Sequence, residues 1–146
     1  MPVLIDTNVL LRSVQPHHPQ CAVAERAVER LRLRSETLHV AAQNFVEFWA
    51  VATRPQSSNG LGMTPEMAEQ ELAVLKRLFS FLPETNSLFE EWERLVSAYR
   101  VIGKNTHDAR LVAAMNVHQV SLILTFNVQD FARYKEVEAI HPESVD

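Results

Sequence analysis

Only one cysteine and three glycines occur among 146 residues. The lone Cys21 excludes an internal disulfide and any cysteine-built zinc site. Two of the glycines fall in Pro55–Gly62 (P-Q-S-S-N-G-L-G), which marks this stretch as the one real loop. Long apolar runs are missing as well. Nothing approaches the roughly 18 uninterrupted apolar residues of a membrane span, and no basic start leads into an apolar segment as in a secretory signal. A cytoplasmic protein without membrane contact is the expectation. Positive charge is in deficit. The formal net charge of -4 argues against coating nucleic acid by bulk electrostatics, and leaves room for action on a strand at one local patch. Arg26, Arg30 and Arg34, at i, i+4, i+8 spacing, form either such a patch or a solvated helix face.

What is present is the make-up of an ordinary globular chain, with 47% hydrophobic and 22% charged residues. Its length suits one domain spanning 1–146. No internal repeat or low-complexity tract occurs. Val3–Asp6 reads as a short buried strand, because an unalternating aliphatic run suits a parallel strand covered on both faces. Leu38–Val40, Phe81–Pro83, Ser121–Phe126 and Val137–Ile140 are further strand candidates. Helical spacing covers Pro19–Arg34, Gln43–Thr53 and Thr106–Gln119. Thr64-Pro65 caps another helix, with Leu72, Leu75, Leu78 and Phe79 on its apolar stripe, and Leu88, Trp92, Leu95, Val96 and Tyr99 make a further apolar face. Short strands alternating with helices predict an α/β fold, a three-layer α/β/α sandwich around a mostly parallel sheet. Ligands in such sheets sit beyond the carboxyl ends of the strands. Asp6 stands at that rim, and so do Asn127 and Asp130.

Three acids sit in apolar surroundings. Asp6 interrupts V-L-I-D-T-N-V-L-L. Glu47 is the only charge between Val40 and Thr53, on a helix that this spacing predicts to be largely buried, and it shares a face with Asn44. Asp108 is in register with Leu111, Val112 and Met115. Each has a structural role open to it: Asp6 as a helix cap, Glu47 as a partner of Arg54, Asp108 as a cap at its helix N-terminus. Together they require a shared cation, because a buried carboxylate without compensation costs several kcal/mol. Oxygen ligands without cysteine, and without a histidine pair at zinc spacing, suit Mg2+ or Mn2+. His17-His18 lies in a loop, and His107 supports its neighbours. Thr7 and Asn8 either hydrogen-bond a carboxylate or water, or cap a helix. Asn44 and Thr125 orient the acids, and Arg110 is a surface residue or a phosphate contact.

Four stretches in this order, L-I-D-T-N-V-L-L, N-x-x-E, H-D-A-R-L-V-A-A-M and L-T-F-N-x-x-D-F, resemble the PIN-domain family, and more closely its VapC-type toxin ribonucleases from bacterial toxin–antitoxin pairs. The resemblance covers most of the chain. It implies that Asp6, Glu47 and Asp108 hold divalent metal for cleavage of RNA phosphodiester bonds, and that the partners are an antitoxin and a second copy in a homodimer. The family's fourth acid usually lies just after the last motif's threonine. Here that place holds Asn127, with Asp130 three residues on. The expectation is three principal acids and an auxiliary Asn127 at the tip of the Ser121–Phe126 strand. Asp130 is then either a fourth acid or the cap of a short helix at Phe131.

Other readings carry their own requirements. A degenerate PIN domain would bind RNA or a partner without cutting, and Asn127 supports it. A haloacid-dehalogenase-like phosphatase would use Asp6 as nucleophile but needs an acid where Asn8 stands. A response-regulator-like receiver needs an acid paired with Asp6 and a lysine after a late strand.

Overall fold

Val3, Leu4 and Ile5 are completely buried, as an unalternating aliphatic strand must be when helices cover both of its faces. In the computed structural model, which describes residues 1–146, they lie in β1 (Pro2–Ile5), the central strand of a five-stranded sheet. The others are β2 (Thr37–Ala41), β3 (Ser80–Leu82), β4 (Leu122–Leu124) and β5 (Glu138–Ile140). Their order is β3-β2-β1-β4-β5, and every neighbouring pair is parallel, with Val3 opposite Leu38 on one side and Leu122 on the other. All strands therefore end at one rim. Strand order changes direction at β1, between β2 and β4, which is where such sheets open a crevice.

Six helices cover the sheet: α1 (Thr7–Ser13), α2 (Cys21–Leu33), α3 (Ala42–Thr53), α4 (Pro65–Leu78), α5 (Leu88–Ala98) and α6 (Asn105–Val117). The alternation of side chains along β1 divides them into two layers. Val3 and Ile5 enter a core with Leu10, Ala27, Phe48 and Leu75 from α1 to α4. Leu4 faces the other way, into a core with Leu95, Val112 and Met115 from α5 and α6. The three-layer sandwich expected from the strand–helix alternation is present, and its sheet is parallel throughout.

Several local readings change. Ser121–Phe126 is strand only over Leu122–Leu124. Thr125 still hydrogen-bonds Ile140 through its amide, but its hydroxyl and the residues after it turn toward α1. Leu78 is 47% exposed and Val46 69% exposed, so α3 and α4 bury one stripe each and α3 is not enclosed. The Arg26, Arg30, Arg34 stripe is not a free basic patch. Arg30 and Arg34 donate to the carbonyls of Val145 and Asp146, tying the C-terminal residues onto α2, where Val145 joins the core. No helix is long and apolar enough to cross a membrane.

Candidate active site

Asp6 ends β1 and caps α1 at once. Its backbone N–H donates to the Leu124 carbonyl of β4 at 3.0 Å, while its Oδ1 accepts from the Thr7 N–H at 2.7 Å. There is no connecting loop. Its Oδ2 accepts from the Thr125 hydroxyl at 2.8 Å and from Asn8 Nδ2 at 3.4 Å. The Thr125 hydroxyl in turn accepts from Asn8 Nδ2 at 3.1 Å and from the Asn127 N–H at 3.0 Å. That fills its capacity of one donor and two lone pairs. Asn8 Oδ1 accepts from the Phe126 N–H at 3.1 Å, so one asparagine fastens α1 to the chain leaving β4. Asp6 is thus both the cap and a member of the site.

A second chain of hydrogen bonds runs to α3. Asn44 is fully buried. Its Oδ1 accepts from the Ala41 N–H at 2.9 Å and its Nδ2 donates to Thr7 Oγ1 at 3.2 Å. Thr7 then donates to Glu47 Oε1 at 2.8 Å. Thr7 and Asn8 accordingly serve carboxylates and do not cap. Glu47 forms no ion pair with Arg54.

An open cleft of about 360 Å³ lies at this rim, lined by Asp6, Thr7, Asn8, Glu47, Arg54, Asp108, Asn127 and Asp130 among others. The five residues expected at the metal all reach it. Asp108 sits in the first turn of α6, half-buried, and does not cap it. Asn127 and Asp130 are exposed. Asp130 lies within a short 3-10 turn (Val128–Phe131) that starts at Asn127 without a side-chain cap. It is the third residue of that turn, with Asn127 in the capping position, so the expected cap is not formed.

Burial is the main reason that the Asp6 carboxyl is pushed up to about 6. The Thr125 and Thr7 bonds pull it down, and the negative charges of Glu47 and Asp108 push it further up. Asp108 is likewise pushed up to about 6, first by burial and then by Asp130 and Glu47, against the pull of His107 and Arg133. Asp130 is therefore the acid that acts most on Asp108. None of Asp6, Glu47, Asp108 or Asp130 takes part in an ion pair. A cleft lined by four carboxylates that make no ion pair, with the Asn127 amide beside them, offers the hard oxygen donors that Mg2+ and Mn2+ take. The donor set fits such an ion, although no three of these groups already converge on one point.

Gln43 is not singled out by the sequence, and Arg54 stands there only as a possible partner of Glu47. Gln43 bridges α3 and α6, and Arg54 is the only cation lining the cleft. Pro55 stops α3, and the loop after it folds back, with the Gly62 N–H on the Arg54 carbonyl at 2.8 Å. A Cβ at Gly60 would collide with that carbonyl oxygen, so glycine is required there to hold the Arg54 backbone at the lip.

The parallel five-stranded sheet covered on both faces by helices, with acids clustered at its carboxyl rim, places the chain among three-layer α/β/α domains. The chain belongs to the PIN domain family, which it matches over residues 3–137. It is similar in fold to solved VapBC2 from Rickettsia felis bound to a promoter DNA fragment (TM-score 0.74, 12% identity, covering 97% of this chain and 98% of that one). It is also similar to VapBC-1 from nontypeable Haemophilus influenzae (TM-score 0.71, 18% identity, 97% and 98% covered). A third is VapC20 of Mycobacterium tuberculosis, a toxin that cleaves the sarcin–ricin loop (TM-score 0.64, 18% identity, 93% and 98% covered). No curated protein matches the sequence.

Proposed function

We propose that this chain, acting as one domain, is a Mg2+- or Mn2+-dependent endoribonuclease and the toxin of a VapBC-type toxin–antitoxin pair in the cytoplasm. The observation that carries this reading is the set of four carboxylates without ion-pair partners, gathered where the parallel sheet changes strand order. Asp6, Glu47 and Asp108 would hold the cation, with Asn127 and Asp130 on the outer side. When bound, a divalent ion supplies a water of lowered pKa and charge neutralisation for phosphodiester hydrolysis. The chain's own groups prepare for it. Thr7, Asn8, Asn44 and Thr125 commit their hydroxyl and amide hydrogens to the acids and to one another, which fixes the Asp6 and Glu47 oxygens before any ligand arrives. Arg54, just past the end of α3, meets the backbone phosphate of an RNA strand at the lip, where four acids would otherwise repel it.

The antitoxin partner is supported by the likeness to solved VapBC assemblies. A second reading, an RNA- or partner-binding PIN domain that does not cut, is favoured by Asn127 in place of an acid and by the unconverged acids. One assay separates the two. Purified protein incubated with total RNA and Mn2+ should release discrete fragments, and chelator should stop it. RNA binding without fragments under any divalent condition would select the second reading.

A further inference from the structure

Glu47 and Asp108 stand on different helices, and a single side chain touches both of their mountings. Gln43 lies one turn before Glu47 on α3. Its Nε2 donates to the His107 carbonyl at 2.7 Å, next to Asp108, and to Glu47 Oε2 at 3.4 Å. Its Oε1 accepts from Arg110 Nη1 at 3.1 Å. The amide can face only this way, because a guanidinium only donates while a carbonyl and a carboxylate only accept. Arg110 is itself held by Glu84, just beyond β3. No other side-chain hydrogen bond joins α3 to α6. Arg110 is thereby turned away from the phosphate contact that its sequence position allowed.

We propose that Gln43 is a positioning residue that fixes the separation of Glu47 and Asp108 for one shared cation, and that Arg110, anchored by Glu84, fixes Gln43. This rests on the reading that both acids serve one divalent ion. The chain Glu84–Arg110–Gln43 acts on ion affinity and touches neither ion nor RNA, so it differs from the cleft lining. Removing groups that orient metal-binding side chains weakens affinity by about 10–100-fold.

The test is a Mn2+ titration of the full chain, with free ion read by electron paramagnetic resonance and thermal unfolding measured in chelator. Gln43→Leu should weaken Mn2+ binding about tenfold while the chelator melting curve stays close to wild type. Arg110→Leu should weaken binding less, and should add nothing in the Gln43→Leu background, because it acts through the amide. Wild-type affinity in Gln43→Leu, or fully additive losses in the double variant, would overturn the positioning role and leave the ion site standing. A wild-type chain that binds no Mn2+ would instead overturn the ion reading, and the positioning role with it.

Discussion

The two walls of the cleft are built on opposite plans. On the β1–α1–α3 wall, Asp6, Thr7 and Asn44 are buried and both oxygens of Asp6 and of Glu47 accept hydrogen bonds. On the wall formed by α6 and the 3-10 turn, Asp108 is half-buried, Asn127 and Asp130 are exposed, and the carboxylates of Asp108 and Asp130 accept no hydrogen bond from the protein. The first wall has exchanged hydration for fixed donors, so its geometry is set before binding. The second keeps its lone pairs in contact with solvent and takes its final arrangement from what enters. Order on one side and freedom on the other would suit the proposed function, in which a small ion is held tightly and a long, variable strand is admitted.

The largest effect should ignore this division. Asp6→Asn and Asp108→Asn should each reduce Mn2+-dependent RNA cleavage to background, since either removes a charge from the shared ion. Near-normal cleavage by Asp108→Asn would show that the walls do not serve one centre. Next comes Thr125→Val, which attacks the ordered wall first. It takes a donor from the buried Asp6 carboxylate and an acceptor from the Asn8 amide and the Asn127 N–H, at a cost of about 1–3 kcal/mol in chemical denaturation, whereas Asp130→Ala should leave stability near wild type.

A pH titration reads one carboxyl from each wall, Asp6 and Asp108, both pushed up to about 6, and removing Asp6 tells their shares apart. The Asp6 carboxyl is pushed up to about 6 in the fold, while an unfolded aspartate titrates near about 3.9. Between these values the folded chain holds a proton that the unfolded chain has released, so stability is greatest below the lower value and falls as pH rises through the higher one. In chelator, the Asp6 contribution is on the order of 3 kcal/mol. The Asp6→Asn variant should show a smaller fall, with only the Asp108 share left, and become more stable than wild type at neutral pH. A parallel decline in the two proteins would mean that Asp6 is not the group responsible.

The smallest effects belong to the open wall. Asn127→Asp should tighten Mn2+ binding a few-fold and Asn127→Ala should weaken cleavage, both read by ion titration and fragment yield. Asp130→Asn should bring the Asp108 carboxyl back toward its ordinary range, because Asp130 is the leading charge acting on it. Carbon-detected NMR of the Asp108 carboxyl would show a lower midpoint.

Where sequence reading succeeded, the signal was local. An aliphatic run halted by Asp6, and acids in register with apolar neighbours, are anomalies visible within one helix turn or one strand. Overreach came from the same source. Phe126 packs against the core beside β4, so its hydrophobicity extended the apparent strand although the backbone had already turned. Val46 is apolar yet exposed, and made α3 look enclosed. Gln43 was missed because a glutamine on a helix reads as solvated surface, and its partners His107 and Arg110 lie 64 and 67 residues away. Pairing at that distance leaves no trace in spacing.

The bond between the Thr125 hydroxyl and Asp6 joins residues 119 positions apart, and β1 cannot take its place in the sheet's centre without β4 on one flank. At synthesis rates of about 5–20 residues per second, a nascent chain carries Asp6 for roughly 6–24 s before Thr125 is even made. The first strand to leave the ribosome must wait for nearly the last. A truncated product would carry Asp6, Glu47 and Asp108 without the frame that aligns them, so the acidic cleft is among the last features this polypeptide can acquire.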